Sequence, residues 1–82
     1  MKKIKALKYK KPELSIILPC FNESKNLKKI FKRIQFINKK YQISIEYIFV
    51  DNGSKDETHH LIKMFAAESI LQNIKLIKIK KN

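Results

Sequence analysis

The sequence predicts an α/β fold with element order βαβαβ on an open parallel sheet. Three observations carry this. Two short apolar runs, rich in β-branched and aromatic residues, stop abruptly at polar residues; each is followed by apolar residues at helical steps; and a third strand-like run comes last. Strands separated by helical connections of this length run parallel, and right-handed crossovers return the chain over the sheet. The economical arrangement is a three-layer sheet in spatial order three, two, one.

The first strand is Leu14 to Cys20, an apolar run with Ile16 and Ile17 bounded by Pro12 and Asn22, the pattern of a strand buried on both faces. Beyond it, Leu27, Ile30, Phe31, Ile34 and Ile37 fall at steps of three and four. They predict a helix with Lys28, Lys29, Lys32 and Arg33 outward and with Asn22 or Ser24 as its cap. Ile45 to Val50 is the second strand, with Tyr47 and Phe49 supplying aromatic bulk before a stop at Asp51 to Gly53. A second helix is expected from about Asp56 to Leu71, burying Leu61, Ile62, Phe65 and Ile70. Ile74 to Ile79, studded with Lys75 and Lys78, is the third strand.

A length of 82 residues is about half of an ordinary ~150-residue domain, which excludes a multidomain enzyme. A hydrophobic content of 44% suffices for a modest core and argues against disorder. The 19 basic and 7 acidic residues leave a net charge of +12, which favours polyanionic partners without choosing among nucleic acid, nucleotides and anionic lipid. Cys20 is the only cysteine, so an intramolecular disulfide and a four-thiolate zinc site are both excluded, and a reducing cytoplasmic setting is the default. No apolar run reaches the ~20 residues of a membrane span. Lys2, Lys3, Lys5, Lys8, Lys10 and Lys11 precede Pro12 with no acid among them and no apolar h-region after them. Residues 1–12 are therefore expected to be a basic arm and residues 13–82 the folded unit.

In a parallel sheet of this kind the ligand crevice lies beyond the carboxyl ends of the strands, which draws Pro19 to Glu23 and Asp51 to Asp56 together. The run Asp51 to Thr58 holds the only glycine and three of the seven acids. Two readings are open for it. Ser54 and Glu57 match the capping box, a structural role. Asp51 at a strand end and Asp56 beyond it are left over, and a carboxylate there can accept from ribose hydroxyls or a base edge, or join a cation site. Neither a dinucleotide fingerprint nor a P-loop can be written with one glycine. Phe21 is either a core residue or a stacking platform for a base. Cys20 reads as an inert buried thiol, and His59 and His60, being adjacent, as helix-surface residues that cannot share a metal.

Leu14-Ser-Ile-Ile-Leu-Pro-Cys-Phe-Asn-Glu23 followed by Tyr47-Ile-Phe-Val-Asp-Asn-Gly-Ser-Lys-Asp-Glu-Thr58 resembles the start of family-two glycosyltransferases, over roughly Glu13 to Asn82. The two motifs in order, at matching strand ends, are far more specific than either alone. The resemblance implies a Rossmann-like sheet of the GT-A type, present as an incomplete domain, with Pro19, Phe21 and Glu23 lining a nucleoside pocket and Asp51 and Asn52 facing base and ribose. Many members have a second Asp where this chain has Asn52; an amide still bonds a base edge but lacks the charge.

The same resemblance implies a donor of the UDP- or GDP-sugar type, inverting transfer, and Mg²⁺ or Mn²⁺ held by a later Asp-x-Asp in the full family domain. That motif and the catalytic base lie outside these 82 residues, so no catalytic or metal residue is expected within them. Lipid-linked or cell-envelope acceptors are common among such proteins. A cytoplasmic protein drawn to an anionic membrane surface through the lysine arm is the corresponding expectation. A small basic nucleic-acid-binding module is the alternative reading. Arg33 is the single arginine and no basic-aromatic recognition stretch is present, so specific readout is not expected.

Overall fold

The computed structural model describes residues 11–68 and 73–80. The elements are β1 (Leu14–Cys20), α1 (Leu27–Lys40), β2 (Ile45–Asp51), α2 (Thr58–Glu68) and β3 (Asn73–Lys78). Both strand pairs are parallel and β2 is central, with Leu14 to Cys20 aligned on Ile45 to Asp51 and Glu46 to Asp51 on Asn73 to Lys78. This is the expected βαβαβ sheet in the expected spatial order. Strand three begins and ends one residue earlier than its sequence pattern. Of the basic arm, Lys2 to Lys10 lie outside the described residues, as do Ile70 and Leu71 of the second helical pattern and Lys81 and Asn82.

Because the strands step in one direction across the sheet, right-handed crossovers place both helices on the same face. Aromatic packing agrees: Phe31 of α1 stacks on Phe65 of α2 with ring centroids 4.0 Å apart, and meets Phe49 of β2 edge-on at 6.2 Å. Alternation along β2 points Ile45, Tyr47, Phe49 and Asp51 into this layer, where all are buried. Tyr47 brings a polar tip with it, and its hydroxyl donates to Asn38 Oδ1 of α1 at 2.9 Å. Leu27, Ile34 and Ile62 complete the core.

The other face of the sheet corrects one expectation. β1 is not buried on both faces: Ile17 remains 65% exposed, and Ile77 of β3, on the far side of β2, is 50% exposed on the same outer face. The described residues supply two layers, sheet and helices, and β1 is an edge strand. On this outer face Glu46 accepts from the Ser15 hydroxyl at 2.7 Å and pairs with Lys75 at 2.6 Å, tying all three strands together. Those contacts hold the Glu46 carboxyl below its ordinary pKa, the Lys75 bond first and the Ser15 bond second.

α1 starts without the anticipated cap. Its N-cap is Asn26, which makes no side-chain cap bond; Asn22 and Ser24 are engaged elsewhere. At the other end Lys39 and Lys40 suit the negative end of the helix dipole, and the Tyr41 N–H closes on the Ile37 carbonyl at 2.9 Å.

Phe49 touches both helices' aromatic layer and is completely enclosed. Replacing it with alanine deletes the ring from the centre of the two-layer unit and is expected to cost about 3–5 kcal/mol. Phe49→Leu keeps most of the volume and should cost less than about 2 kcal/mol. Thermal melts followed by far-UV circular dichroism check the ordering; equal melting of the two variants would contradict it.

Candidate functional site at the two strand ends

Register decides the site. Cys20 and Asp51 are Cα partners at the last position of β1 and β2, so the loops that leave them, residues 21–26 and 52–57, start level with one another. Asn52 N–H donates to the Cys20 carbonyl at 2.8 Å and extends the ladder by one bond. Beyond that point side chains take over. Asn22 N–H donates to Ser54 Oγ at 2.8 Å, Lys55 N–H to Asn22 Oδ1 at 2.8 Å, Glu23 N–H to Thr58 Oγ1 at 2.8 Å, and Ser24 N–H to Asp56 Oδ2 at 3.2 Å. The two loops are stitched along their length.

Two residues adopt the left-handed conformations this path needs. Gly53 has φ 78°, which glycine occupies without a steric penalty, and Asn22 has φ 50°, which asparagine tolerates best among residues with a side chain. Asn22 is thus the geometric counterpart of Gly53, and its side-chain carbonyl returns to the opposite loop.

Of the residues singled out in the sequence, Pro19, Phe21, Glu23, Asp51 and Asn52 all come to this end of the sheet. They are not equivalent there. Phe21 is 48% exposed, which removes the core-residue reading. Asn52 is exposed with its backbone fixed, and Pro19 is exposed on the outer face opposite Val50. Glu23 is half-buried: its carbonyl accepts from Asn26 and Leu27 N–H, and its carboxylate accepts from Asn26 Nδ2 at 3.0 Å.

Asp51 departs from expectation, since it does not project into an open crevice. It shares the inward face of β2 with Phe49, and the first turn of α2 closes over it until it is 0% exposed. One carboxylate oxygen accepts from Ser54 N–H at 3.0 Å and shapes the turn through Gly53. The other has no hydrogen-bond partner and faces His59 Nδ1 at 3.6 Å.

The capping box also resolves differently. α2 starts at Thr58, the Glu57 carbonyl accepts the first helical bond from Leu61, and the carboxylate that caps the turn is Asp56, accepting from Thr58 N–H at 2.9 Å and from the Thr58 hydroxyl. Ser54 serves the opposite loop instead of its own helix. Sequence reasoning thus missed the bonds of Asn22 to Lys55 and of Thr58 to Glu23 and the inward role of His59 toward Asp51, which join positions 8 to 35 apart along the chain and carry no local spacing signal.

The electrostatics follow the bonding. The Thr58 hydroxyl first, with further bonds from Thr58 and Ser24, lowers the Asp56 carboxyl from 3.8 to about 2. Burial first, then the nearby Glu23 and Asp51 carboxylates, pushes the Cys20 thiol up, so the buried thiol is a poor nucleophile. Among the described residues no three acidic, histidine or cysteine side chains converge as metal ligands. A groove of about 310 Å³ between β1 and α1 draws no residue from either loop and is separate from the junction.

The glycosyl transferase family 2 model matches residues 15–82 of the chain. Over 74 residues the chain is 36% identical to a dolichyl-phosphate beta-glucosyltransferase of Dictyostelium discoideum, covering 84% of this chain and 23% of that protein. It is 35% identical over 71 residues to an uncharacterized glycosyltransferase of Synechocystis sp., covering 85% of this chain and 21% of that one. An undecaprenyl-phosphate 4-deoxy-4-formamido-L-arabinose transferase of Pseudomonas fluorescens is 34% identical over 55 residues, 67% of this chain and 16% of its own. The chain spans about a quarter or less of the length of these relatives.

Two predictions follow from the stitching. Thr58→Val keeps shape but removes the acceptor of Glu23 N–H and the donor to Asp56; it should cost about 2 kcal/mol and lower Tm by roughly 10 °C. A change under about 0.5 kcal/mol would show that the loops close without it. The depressed Asp56 value means its bonds stabilise the fold fully above the ordinary carboxyl range, and that contribution is lost as pH falls from about 4 through about 2. A carboxyl ¹³C titration should place the Asp56 midpoint near 2; a midpoint near 4 would contradict the capping geometry.

Proposed function

The chain belongs to glycosyl transferase family 2, and from that premise we propose that its stitched loop junction is the nucleoside-facing part of a nucleotide-sugar site. The observation that carries the reading is the junction itself. Two loops from separate parts of the chain are held level at the carboxyl ends of parallel strands, with Phe21 and Asn52 presented to solvent beside one another's loops. An exposed ring offers a base a stacking face, and the Asn52 amide offers both a donor and an acceptor to a base edge. Pro19 and Glu23 border the same end. Asp51, enclosed by α2, contributes by fixing the turn that carries Asn52 and Gly53.

In this reading the chain supplies part of an inverting glycosyltransferase that uses a UDP- or GDP-sugar. Mg²⁺ or Mn²⁺ and the catalytic base are assigned to other parts of the family domain. The carboxylates of this junction are poor candidates for metal ligands: Asp51 is enclosed, Asp56 is occupied by Thr58 and Ser24, and Glu23 is turned to Asn26. The names of the dolichyl-phosphate and undecaprenyl-phosphate relatives support a lipid-phosphate acceptor, and with it a cytoplasmic protein working at an anionic membrane surface. None of the described helices is long and apolar enough to cross a membrane, so the lysines at positions 2 to 11 are the proposed source of that attraction.

Titration of the ¹⁵N-labelled chain with UDP and with GDP tests the site. One of the two should shift the backbone amides of Phe21, Asn22, Asn52 and Gly53. Phe21→Ala should weaken binding about fivefold or more, the equivalent of the ~1 kcal/mol at the low end of base-aromatic stacking. Shifts confined to other regions, or unchanged binding by Phe21→Ala, would overturn the assignment.

A further inference from the structure

Two buried polar atoms face each other beneath the loop junction with nothing between them to satisfy either. Asp51 Oδ2 and His59 Nδ1 lie 3.6 Å apart, both buried and both without a hydrogen-bond partner among the described residues. Asp51 as a whole is 0% exposed, whereas the His59 ring is 31% exposed, so the imidazole reaches solvent by its other edge. A dry carboxylate oxygen left without a donor is strongly unfavourable. A neutral imidazole can supply one from Nδ1, and which nitrogen carries the proton is set by the partner it meets. The 3.6 Å separation is just beyond hydrogen-bond length.

The bonds leading away from Asp51 give that contact a reach beyond its own turn. Asp51 Oδ1 accepts from Ser54 N–H, Ser54 Oγ accepts from Asn22 N–H, and Asn22 Oδ1 accepts from Lys55 N–H. Anything that fixes the carboxylate therefore fixes Ser54, and through Ser54 the loop that carries Phe21. We propose that His59 is a positioning residue for the nucleoside site: its imidazole is held in the Nδ1–H form by Asp51 and locks the two loops through the chain Asp51, Ser54, Asn22. This role rests on the nucleotide-binding reading above for its effect on affinity, but not for the protonated nitrogen.

The test has two arms so that the two ideas fail separately. Long-range ¹H–¹⁵N spectra of the unmodified chain report which imidazole nitrogens carry a proton; Nδ1–H is expected for His59, and a ring protonated at Nε2 alone would overturn the proposal whatever the chain binds. In the second arm UDP and GDP titrations compare the unmodified chain with His59→Leu and His59→Asn. The leucine variant removes the donor and should bind roughly tenfold more weakly, with the Ser54 and Asn22 amides displaced. Asparagine places an amide donor near the Nδ1 position and should restore binding to within about threefold. Equal binding by His59→Leu and the unmodified chain would sink the positioning role. Binding of neither nucleotide by the unmodified chain would instead sink the nucleotide reading, with the tautomer still deciding the Asp51–His59 contact. Should His59→Leu fail to fold, the tautomer and the asparagine variant carry the decision.

Discussion

Cys20 and Asp51 end two parallel strands side by side, and every feature of the candidate site descends from that alignment. Had β1 and β2 paired one residue out of step, the inward and outward sides of a whole strand would exchange, and Asp51 would leave the helix layer. The register is held by burial: Tyr47 and Phe49 on β2 have one face on which they can be covered, and α1 and α2 both lie there. Hydrogen bonds between the loops then act on ends already brought together. Each contributes modestly by itself; the Glu23 N–H to Thr58 Oγ1 bond alone of the four is partly buried, where leaving a partner unmade costs more than the bond gains.

The acidic, hydroxyl-rich run after β2 looks at first like a ligand cluster. In the folded chain most of it is consumed internally. Asp51 holds the turn, Ser54 and Thr58 accept amides from the opposite loop, and Asp56 caps α2 while reaching Ser24. Asn52, Lys55 and Glu57 of that run are exposed, and Phe21 of the opposite loop is 48% exposed.

The outer face of the sheet has a different character. Ile17 and Ile77 stand open there alongside the Ser15–Glu46–Lys75 cluster, so the apolar alternation of β1 and β3 is matched by cover on one side alone among the described residues.

The order of strands and helices, the parallel pairing and the meeting of the two motif loops were determined by the sequence alone. Apolar periodicity and abrupt polar stops are local signals, and crossover handedness leaves few ways to assemble them. Tertiary structure alone decided the direction and partners of individual side chains. Asp51 at a strand end reads as a group open to ligand until the first turn of α2 lies across it; His59 reads as a surface residue until that same turn sets its Nδ1 against the carboxylate. Ser54 and Asn22 read as caps for their own helices, yet each bonds across a separation of 32 or 33 residues. No spacing rule encodes such contacts, because they depend on which loop a folded neighbour brings within about 3 Å, and that distance is set by packing rather than by position along the chain.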